Sequence, residues 1–396
     1  MVLYQRNYCL KNTSIGDKVS FDIYSFNKVV SGDQHLLFLY NLFKEPTSFD
    51  EAHHRYGIPY SVLEDLRDCF FLIEYVKVKT LSEGILEFSN NPIGNNINLF
   101  DLNRISTYSP DQFAIVGIPV DINGEFGGAR SGPSLIRDEL NILNDSINQT
   151  NFCDFDVRKI YDGNSLQVFD LGDIVWLPGE GILAVKHRAE IVFDKLFSNQ
   201  FRTIMFGGDH SMSIFPIESL AKREQFHIIQ FDAHHDLVGY NNEATIVSHA
   251  NWLCKVIDLS SIKTITQVGL RTIDINDYTQ IIDHPKWYLH SSFDIYNYPQ
   301  LNYFDHIPKD SKVYVTFDVD CFDYGIIEHD TSIPEIGGIS YYSALKLLNT
   351  IFEKFDVLGL DIVELSPNTV SKGKGQKMVS KLVLNYLFSK CPSISF

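Results

Sequence analysis

The sequence predicts an α/β fold in which helices cover both faces of a parallel sheet, preceded by a small α+β module. Two observations favour the sheet. Apolar runs alternate with helical stretches from about residue 112 onwards, and chemically reactive residues follow several of these runs. Before residue 100 the sequence pattern differs, because short helical patterns precede a stretch in which apolar and polar residues alternate. We therefore expect an N-terminal module over residues 1–100 and a larger domain over residues 112–396.

The N-terminal module is expected to contain three short helices and a strand. Ser31 is a suitable N-cap for the first helix, and a second begins near residues 47–48 and ends at Gly57. Pro59 opens the third helix, and residues 71–80 alternate as a strand does. Three helices followed by a strand indicate a winged-helix-like module. An oligomerisation or packing role is an equally simple interpretation.

The larger domain shows the pattern of apolar runs that is typical of a buried parallel sheet. Its apolar runs cover residues 113–118, 168–171, 203–206, 227–231, 264–268, 287–289, 313–317 and 357–360. Several are separated by long helical stretches, such as residues 182–196 and 342–355. Active sites in such folds lie beyond the carboxyl ends of the strands. We therefore expect reactive side chains immediately after the apolar runs.

Composition and charge argue against nucleic-acid-binding, membrane-spanning and secreted proteins. The formal net charge of −17 argues against a nucleic-acid binder, which needs a basic surface. No apolar run reaches the roughly 20 residues of a membrane helix. The N-terminus lacks the pattern of a secretory signal, and the six cysteines are scattered singly. We expect a cytoplasmic protein with reduced thiols that binds neither nucleic acid nor membrane.

Three of the apolar runs are followed by motifs rich in histidine and aspartate. These motifs are Gly-Gly-Asp-His-Ser at residues 207–211, Asp-Ala-His-His-Asp at 232–236 and Asp-Val-Asp-Cys-Phe-Asp at 318–323. Each motif alone is compatible with a tight turn or a helix cap. Because all three follow predicted strands, we expect them to meet at one edge of the sheet.

The spacing within the motifs favours metal binding. On a strand, residues i and i+2 share a face, so Asp232 can converge with His234, and Asp318 with Asp320. Asp236 can join them as the chain leaves the strand. Clustered carboxylates repel one another unless cations neutralise them, and mixed imidazole and carboxylate ligands suit Mn²⁺ or a related ion. Shared carboxylates indicate two ions, which together activate a water molecule.

The same motifs resemble those of the ureohydrolase superfamily, which comprises arginases, agmatinases, guanidino-acid hydrolases and formiminoglutamases. The likeness runs from about Phe113 to the C-terminus and includes residues 117–119, 128–137 and 170–173. It implies a three-layer α/β/α sandwich around an eight-stranded parallel sheet that holds two manganese ions. By motif position, the implied ligands of one ion are His210, Asp232, Asp236 and Asp318, and those of the other are His234, Asp232, Asp318 and Asp320.

The resemblance also implies roles for residues outside the metal motifs. Glu364 matches the glutamate that holds the substrate guanidinium, which pairs well with a carboxylate. His249 lies where arginases carry a proton-shuttling histidine, a role suited to imidazole near neutral pH. Asp274 matches an aspartate that contacts the α-amino group of arginine, and Asp236 would orient the attacking water. Structural roles, a strand cap for Glu364 and a surface position for His249, are the alternatives.

The loop at residues 237–248 departs from the family, because it lacks the Ser-Gly-Asn pattern of the loop with which arginases bind the α-carboxylate. The N-terminal module resembles winged-helix domains that bind leader peptides by adding a strand to a sheet edge. Together these features predict an enzyme, a manganese-dependent ureohydrolase that converts arginine residues of a precursor peptide into ornithine and urea. The alternatives are a small-molecule ureohydrolase acting on free arginine, agmatine, a guanidino acid or formiminoglutamate, and a non-catalytic sensor. We also expect a homo-oligomer.

Overall fold

The structure is a computed structural model. It describes residues 3–6, 10–12, 19–23, 28–43, 47–69, 71–74, 85–87, 92–93, 95–96, 112–121, 128–147, 151–162, 166–177, 182–240, 247–327, 330–366 and 373–396. The chain divides into two compact units, one comprising Met1–Ile85 with Val175–Arg188 and the other Leu86–Ile174 with Ala189–Phe396. None of the helices among these residues is long and apolar enough to cross a bilayer.

The first unit contains two small antiparallel sheets and three helices. Its elements are β1 (Leu3–Arg6), β2 (Leu10–Asn12), β3 (Val19–Ile23), β4 (Lys28–Gly32), α1 (Gln34–Leu42), β5 (Thr47–Ser48), α2 (Phe49–Tyr56), α3 (Tyr60–Asp68) and β6 (Leu72–Glu74). The strand orders are β5-β1-β6 and β2-β3-β4. Phe21, Leu39, Phe43, Leu63 and Phe71 belong to its buried core.

The three predicted helices of this unit are confirmed, with one change at a helix start. Asp33, not Ser31, caps α1, because its side chain accepts the backbone N–H of His35. Ser48 caps α2, which ends at Gly57 with φ of 69°. The predicted strand is found only at β6, and residues 75–80 lie outside the described residues. The winged-helix assignment remains a prediction.

The second unit contains the remaining elements, apart from the start of α5. In chain order they are β7 (Leu86–Glu87), β8 (Asn95–Asn96), β9 (Gln112–Ile118), α4 (Gly132–Ile147), β10 (Asn151–Asp154), β11 (Lys159–Asp162), β12 (Gln167–Ile174), α5 (Ile182–Ser198), β13 (Arg202–Gly207), α6 (Ile214–Ala221), β14 (Phe226–Phe231), β15 (Ile262–Leu270), α7 (Ile275–Ile281), β16 (Trp287–Ser291), α8 (Ser292–Asn297), β17 (Lys312–Asp318), α9 (Tyr324–Ile327), α10 (Tyr341–Lys354), β18 (Asp356–Val363), α11 (Lys374–Phe388) and β19 (Ser393–Ser395).

The large sheet has the order β16-β15-β14-β17-β18-β13-β9-β12-β7, with β8 also paired to β12. From β16 to β12 every neighbouring pair is parallel, which confirms the predicted eight-stranded parallel sheet of a three-layer α/β/α fold. The two-residue strands β7 and β8 extend its edge. Every residue of β9 and β14 is buried, which explains why most residues of these two strands are apolar.

A buried ion-pair network ties α4 to β12. The guanidinium of Arg137 donates to both carboxylate oxygens of Asp170 at 2.9 and 3.0 Å. It also donates to Oδ1 of Asp173 at 2.5 Å and to the carbonyl oxygen of Gly172 at 3.1 Å. The side chain of Arg137 is 1 % exposed, so these acceptors replace the water that its charge would otherwise require.

Candidate metal centre and its pocket

The predicted motifs meet at one edge of the large sheet. Strands β14, β17, β18 and β13 are consecutive neighbours and parallel, so the segments that follow them lie side by side. The segment after β13 supplies His210, and the segment after β14 supplies residues 232–236. Asp318 is the last residue of β17, Asp320 lies in the short helical turn that follows it, and Glu364 follows β18.

The turn after β13 depends on glycine. A Cβ added to Gly208 would lie 1.9 Å from the carbonyl oxygen of Val120, a distance that no side chain tolerates. The same carbonyl accepts a hydrogen bond of 2.9 Å from the N–H of Asp209. Close approach of the two backbones at Gly208 therefore sets the position from which the next residues enter the site.

The first group of candidate ligands surrounds His210. Its Nδ1 lies 3.0 Å from Oδ2 of Asp232, 3.0 Å from Oδ2 of Asp236 and 3.1 Å from Oδ2 of Asp318. All four side chains are buried. On the other side of the ring, Nε2 lies 2.9 Å from Oγ1 of Thr316. A hydrogen bond donated by Nε2 to Thr316 leaves the Nδ1 lone pair free for a cation.

The second group surrounds His234 and shares Asp232 with the first. Nδ1 of His234 lies 2.9 Å from Oδ2 of Asp320 and 3.6 Å from Oδ1 of Asp232. The two oxygens of Asp232 therefore face different groups, as in a bridging carboxylate. Asp318 belongs to the first group, and its Oδ1 accepts the backbone N–H of Asp320 at 2.8 Å.

The geometry fits divalent cations. Around an octahedral ion with bonds of about 2.1 Å, neighbouring ligand atoms are about 3.0 Å apart. This is the separation between Nδ1 of His210 and its three carboxylate oxygens. Within the described part of the chain, this buried nitrogen makes no hydrogen bond of normal geometry. A buried nitrogen without a hydrogen bond, surrounded by carboxylate oxygens, is a suitable donor set for a first-row cation such as Mn²⁺.

The pKa shifts of the clustered side chains also favour a cation site. Burial, and then the charges of Asp320 and Asp232, raise the pKa of Asp318 well above its usual range. Burial and the charge of Asp232 raise the pKa of Asp236 to about 7. Burial lowers the pKa of His234, but hydrogen bonds to Asp232 and Asp320 outweigh it and raise the pKa to about 12. The cluster therefore requires positive charge, and two divalent cations would balance its four carboxylates.

Members of both groups line a pocket of about 160 Å³, namely His210, Asp236, Asp318, His234 and Asp320, and so do His249 and Glu364. His249 lies in the turn after the loop that follows β14, and its Nδ1 is buried without a hydrogen-bond partner among the described residues. One ring nitrogen is thus available for a ligand or a proton. The structure brings His249 into the same pocket as the candidate metal ligands.

Glu364 is held rigidly at the end of β18. Its φ of 61° is unusual for a residue with a side chain, and its N–H donates to the carbonyl oxygen of Gly208 at 2.8 Å. Oε1 accepts the N–H of His210 at 2.9 Å, and Oε2 accepts the hydroxyl of Ser332 at 3.0 Å. Burial and the neighbouring Asp209 raise the pKa of Glu364 to about 8. The two hydrogen bonds, from His210 and Ser332, fix the carboxyl group of Glu364 at the pocket wall.

Asp274 is placed differently from the other predicted site residues. It is the N-cap of α7, and its Oδ1 accepts the backbone N–H and the side-chain amide of Asn276 at 2.8 and 2.9 Å. It is exposed and does not line the pocket, although Thr272, two residues earlier, does. Contact between Asp274 and a substrate remains a prediction.

Two buried residues that the sequence reasoning missed bind the candidate ligands. Gln230 donates to Oδ2 of Asp232 at 2.6 Å and to Oδ2 of Asp236 at 3.1 Å. Trp252 donates to Oδ2 of Asp236 at 2.6 Å. Gln230 lies two residues before Asp232 on β14, so the alternation rule that paired Asp232 with His234 could also have found it. No comparable local signal marks Trp252.

Comparisons with known proteins agree with this geometry. Residues 111–389 match the Arginase family. An agmatinase from Serratia proteamaculans is 30 % identical over 275 residues, covering 68 % of this chain and 84 % of the relative. An agmatinase from Cronobacter sakazakii is 29 % identical over 294 residues, covering 71 % and 89 %.

Solved structures show the same fold. The agmatine ureohydrolase of Thermoplasma volcanium gives a TM-score of 0.59 at 22 % identity, covering 74 % of this chain and 97 % of the other. Arginase from Bacillus subtilis gives 0.56 at 22 % identity, covering 70 % and 98 %. Because the family match spans more than half of its residues, this chain belongs to the arginase family and is a ureohydrolase.

Proposed function

We propose that this chain is a binuclear manganese amidinohydrolase that hydrolyses the guanidino group of arginine residues in a peptide, leaving ornithine and releasing urea. The observation that carries the proposal is the pair of histidine–carboxylate groups that share Asp232, since both histidines line one pocket. The proposed ligands are His210, Asp232, His234, Asp236, Asp318 and Asp320. Bridging by Asp318 as well as by Asp232 is part of the proposal.

The residues around the pocket have complementary tasks. Two bound divalent ions supply an activated water molecule as the nucleophile. The carboxyl group of Glu364, with two oxygens fixed at the pocket wall, holds the planar guanidinium by charge-assisted hydrogen bonds. Burial favours the neutral acid, but the positive charge of a bound guanidinium lowers the pKa of Glu364 and so favours the carboxylate. Asp236 accepts a hydrogen bond from the attacking water. His249 gives a proton to the leaving amine, for which an imidazole near neutral pH is suited.

The proposed peptide substrate rests on the sequence of residues 237–248. A site that binds free arginine must satisfy the α-carboxylate, since leaving buried polar groups unpaired costs several kcal/mol. Residues 237–248 lack the Ser-Gly-Asn pattern used by arginases, and residues 241–246 lie outside the described residues. Without such groups a free amino acid gains nothing over an arginine within a chain, which favours a peptide substrate.

Agmatine is the second candidate substrate. The relatives from Serratia proteamaculans and Cronobacter sakazakii are named agmatinases, and agmatine has no carboxylate to satisfy. The absence of a carboxylate-binding pattern in residues 237–248 therefore suits agmatine as well as a peptide. Only a direct comparison of substrates separates the two candidates.

The deciding experiment compares substrates side by side on protein reloaded with Mn²⁺. Urea release is measured with free arginine, agmatine, guanidinobutyrate and arginine-containing peptides, and the peptides are examined by mass spectrometry for conversion of arginine to ornithine. Efficient turnover of agmatine with unchanged peptides would replace the peptide proposal by an agmatinase. Binding of two ions without urea release from any substrate would favour formiminoglutamate hydrolysis or the sensor alternative.

The remaining proposals concern the roles of the two domains, the oligomeric state and the cellular location. We propose that the N-terminal module over residues 1–100 recognises the precursor peptide, while residues 112–396 form the catalytic domain. A homo-oligomer and a cytoplasmic location are also proposed. The described cysteines Cys69, Cys153, Cys254, Cys321 and Cys391 are free thiols, as the cytoplasmic proposal requires.

A further inference from the structure

Trp252 contacts two of the candidate metal ligands at once. Its indole N–H donates to Oδ2 of Asp236 at 2.6 Å, and its ring lies 4.9 Å from the His210 ring, between centroids, at an interplanar angle of 36°. The side chain of Trp252 is fully buried. A large, rigid group with one donor is therefore packed directly against the first ligand group.

The carboxylate that Trp252 binds belongs to a residue with an unusual backbone conformation. Asp236 has a φ of 54°, in the left-handed region that favours glycine, and it lies on an irregular segment after β14. Gln230 is the other hydrogen-bond donor to its Oδ2. The amide of Gln230 is itself fixed, because its Oε1 accepts Nε2 of Gln267 at 2.8 Å and Oε1 of Gln267 accepts the indole of Trp287 at 3.0 Å.

At its other end, Trp252 continues the turn that carries His249. Ser248 donates its N–H to Oδ1 of Asn251 at 2.8 Å, and Asn251 donates its own N–H to the carbonyl oxygen of Ser248 at 3.2 Å, which closes the turn. The N–H of Val238 donates to the carbonyl oxygen of Ala250 at 3.0 Å. The turn is thus fastened to the segment after β14 at two points, through Ala250 and through the indole of Trp252.

We infer that Trp252 is a positioning residue that couples cation binding at the first ligand group to the placement of His249. A cation bound by Asp236 would hold that carboxylate in one position. Because the indole N–H of Trp252 donates to the same carboxylate, it would also hold the turn that contains His249, three residues before Trp252 in the sequence. The inference rests on the proposed metal centre. It predicts that loss of the indole N–H weakens one cation site and loosens the turn of His249, with the fold retained.

The test uses the full chain, stripped of metal and titrated with Mn²⁺ by calorimetry. Trp252→Phe keeps most of the ring that contacts His210 and removes only the donor. We expect the dissociation constant of one of the two ions to rise by about 10- to 100-fold, as for other partners of metal ligands. At saturating Mn²⁺, kcat should fall while KM stays within about two-fold, since Glu364 still holds the substrate. Trp176→Phe, in the other compact unit, is the matched control and should change neither.

Hydrogen exchange supplies a readout that a purely structural role would not move. In the wild type, Mn²⁺ should slow amide exchange both in residues 231–240 and in residues 247–256. In Trp252→Phe the protection of residues 247–256 should be lost. If that variant does not fold, the wild-type experiment still decides, because protection confined to residues 231–240 contradicts the coupling.

Two failures can be told apart. If the wild type binds fewer than two ions, the proposed binuclear centre is wrong. If the wild type binds two ions, and Trp252→Phe binds both with unchanged affinity and keeps the protection of residues 247–256, the centre stands and the role of Trp252 is overturned.

Discussion

Oε1 of Glu364 accepts a 2.9 Å hydrogen bond from the backbone N–H of His210, so the proposed substrate carboxylate is fastened to a proposed metal ligand. The two residues lie 154 positions apart in the chain and meet because β13 and β18 are parallel neighbours. This bond fixes the distance between the place where a guanidinium would be held and the place where it would be attacked. Positioning of this kind contributes strongly to catalysis.

Glu364→Gln tests the substrate role. Glutamine keeps an oxygen for the N–H of His210 but loses the charge that pairs with a guanidinium. We expect kcat/KM to fall about 100-fold, the equivalent of charge-assisted hydrogen bonds of about 2–3 kcal/mol. Ser332→Ala, which removes only the hydroxyl donated to Oε2, is the milder control. Wild-type kcat/KM in Glu364→Gln would remove this residue from substrate binding.

The shared position of Asp232 makes the two ligand groups separable. Asp232→Ala should prevent stoichiometric binding of both ions, whereas Asp320→Ala should affect mainly the ion near His234, because the carboxylate of Asp320 belongs to the second group. Metal content after dialysis, measured by mass spectrometry, checks this. Asp323→Ala is the control from the same motif, since Asp323 accepts the N–H of Gly325 instead of facing a ligand group. Equal loss in all three variants would contradict the assignment.

His249→Ala should slow turnover without weakening substrate binding. General acid catalysis typically contributes about 10²- to 10⁴-fold, so a fall in kcat of about that size is expected with KM little changed. Steady-state kinetics across pH measures it, and added imidazole should restore part of the lost rate. Unchanged kcat at every pH would leave His249 as a pocket wall only.

Arg137 is expected to matter for stability and not for chemistry. Arg137→Met keeps the length of the side chain but leaves Asp170 without its buried counter-charge. Breaking a buried pair in this way costs about 3–5 kcal/mol. Urea denaturation should show that loss, whereas Arg158→Met, at an irregular turn between β10 and β11, should change the free energy of unfolding by less than about 0.5 kcal/mol. A stable Arg137→Met protein would show that the network contributes little.

His306 predicts an acid-sensitive part of the stability. Burial lowers its pKa to about 4, with His290, His227 and Lys354 adding to the shift and Asp305 opposing it. The unfolded ring has a pKa near 6.5, so between about pH 6.5 and 4 the unfolded chain binds a proton that the folded chain does not. The stability from this site is therefore complete above about pH 6.5 and is lost as the pH falls towards 4.

His306→Gln tests this. Nε2 of His306 lies 2.8 Å from Oγ1 of Thr266, and a glutamine amide can also hydrogen-bond there. Between pH 7.0 and 5.5 the urea midpoint of the variant should fall less than that of the wild type. Parallel curves for the two proteins would show that another group controls the acid sensitivity.

Much of this protein was determined by local sequence alone. Apolar runs predicted the buried strands because most side chains of a strand covered on both faces pack against apolar neighbours. The i, i+2 spacing predicted that Asp232 would converge with His234, and the two do share a ligand group, although both follow the end of β14. Asp318 and Asp320 belong to different ligand groups, because a short helical turn follows β17 and carries Asp320. The first helix start was misplaced because Ser31 and Asp33 are both good caps, and only the backbone path chose between them.

Only the tertiary structure decided which residues share the site. The order β14-β17-β18-β13 brings four distant segments to one edge, and strand order depends on long-range pairing that local patterns do not encode. The same packing aims Asp320 into the ligand groups and leaves Asp323 to bind the turn at Gly325. It also brings the indole N–H of Trp252 within hydrogen-bond distance of Asp236. A buried N–H needs an acceptor, and the acceptor that lies near enough depends on the tertiary structure.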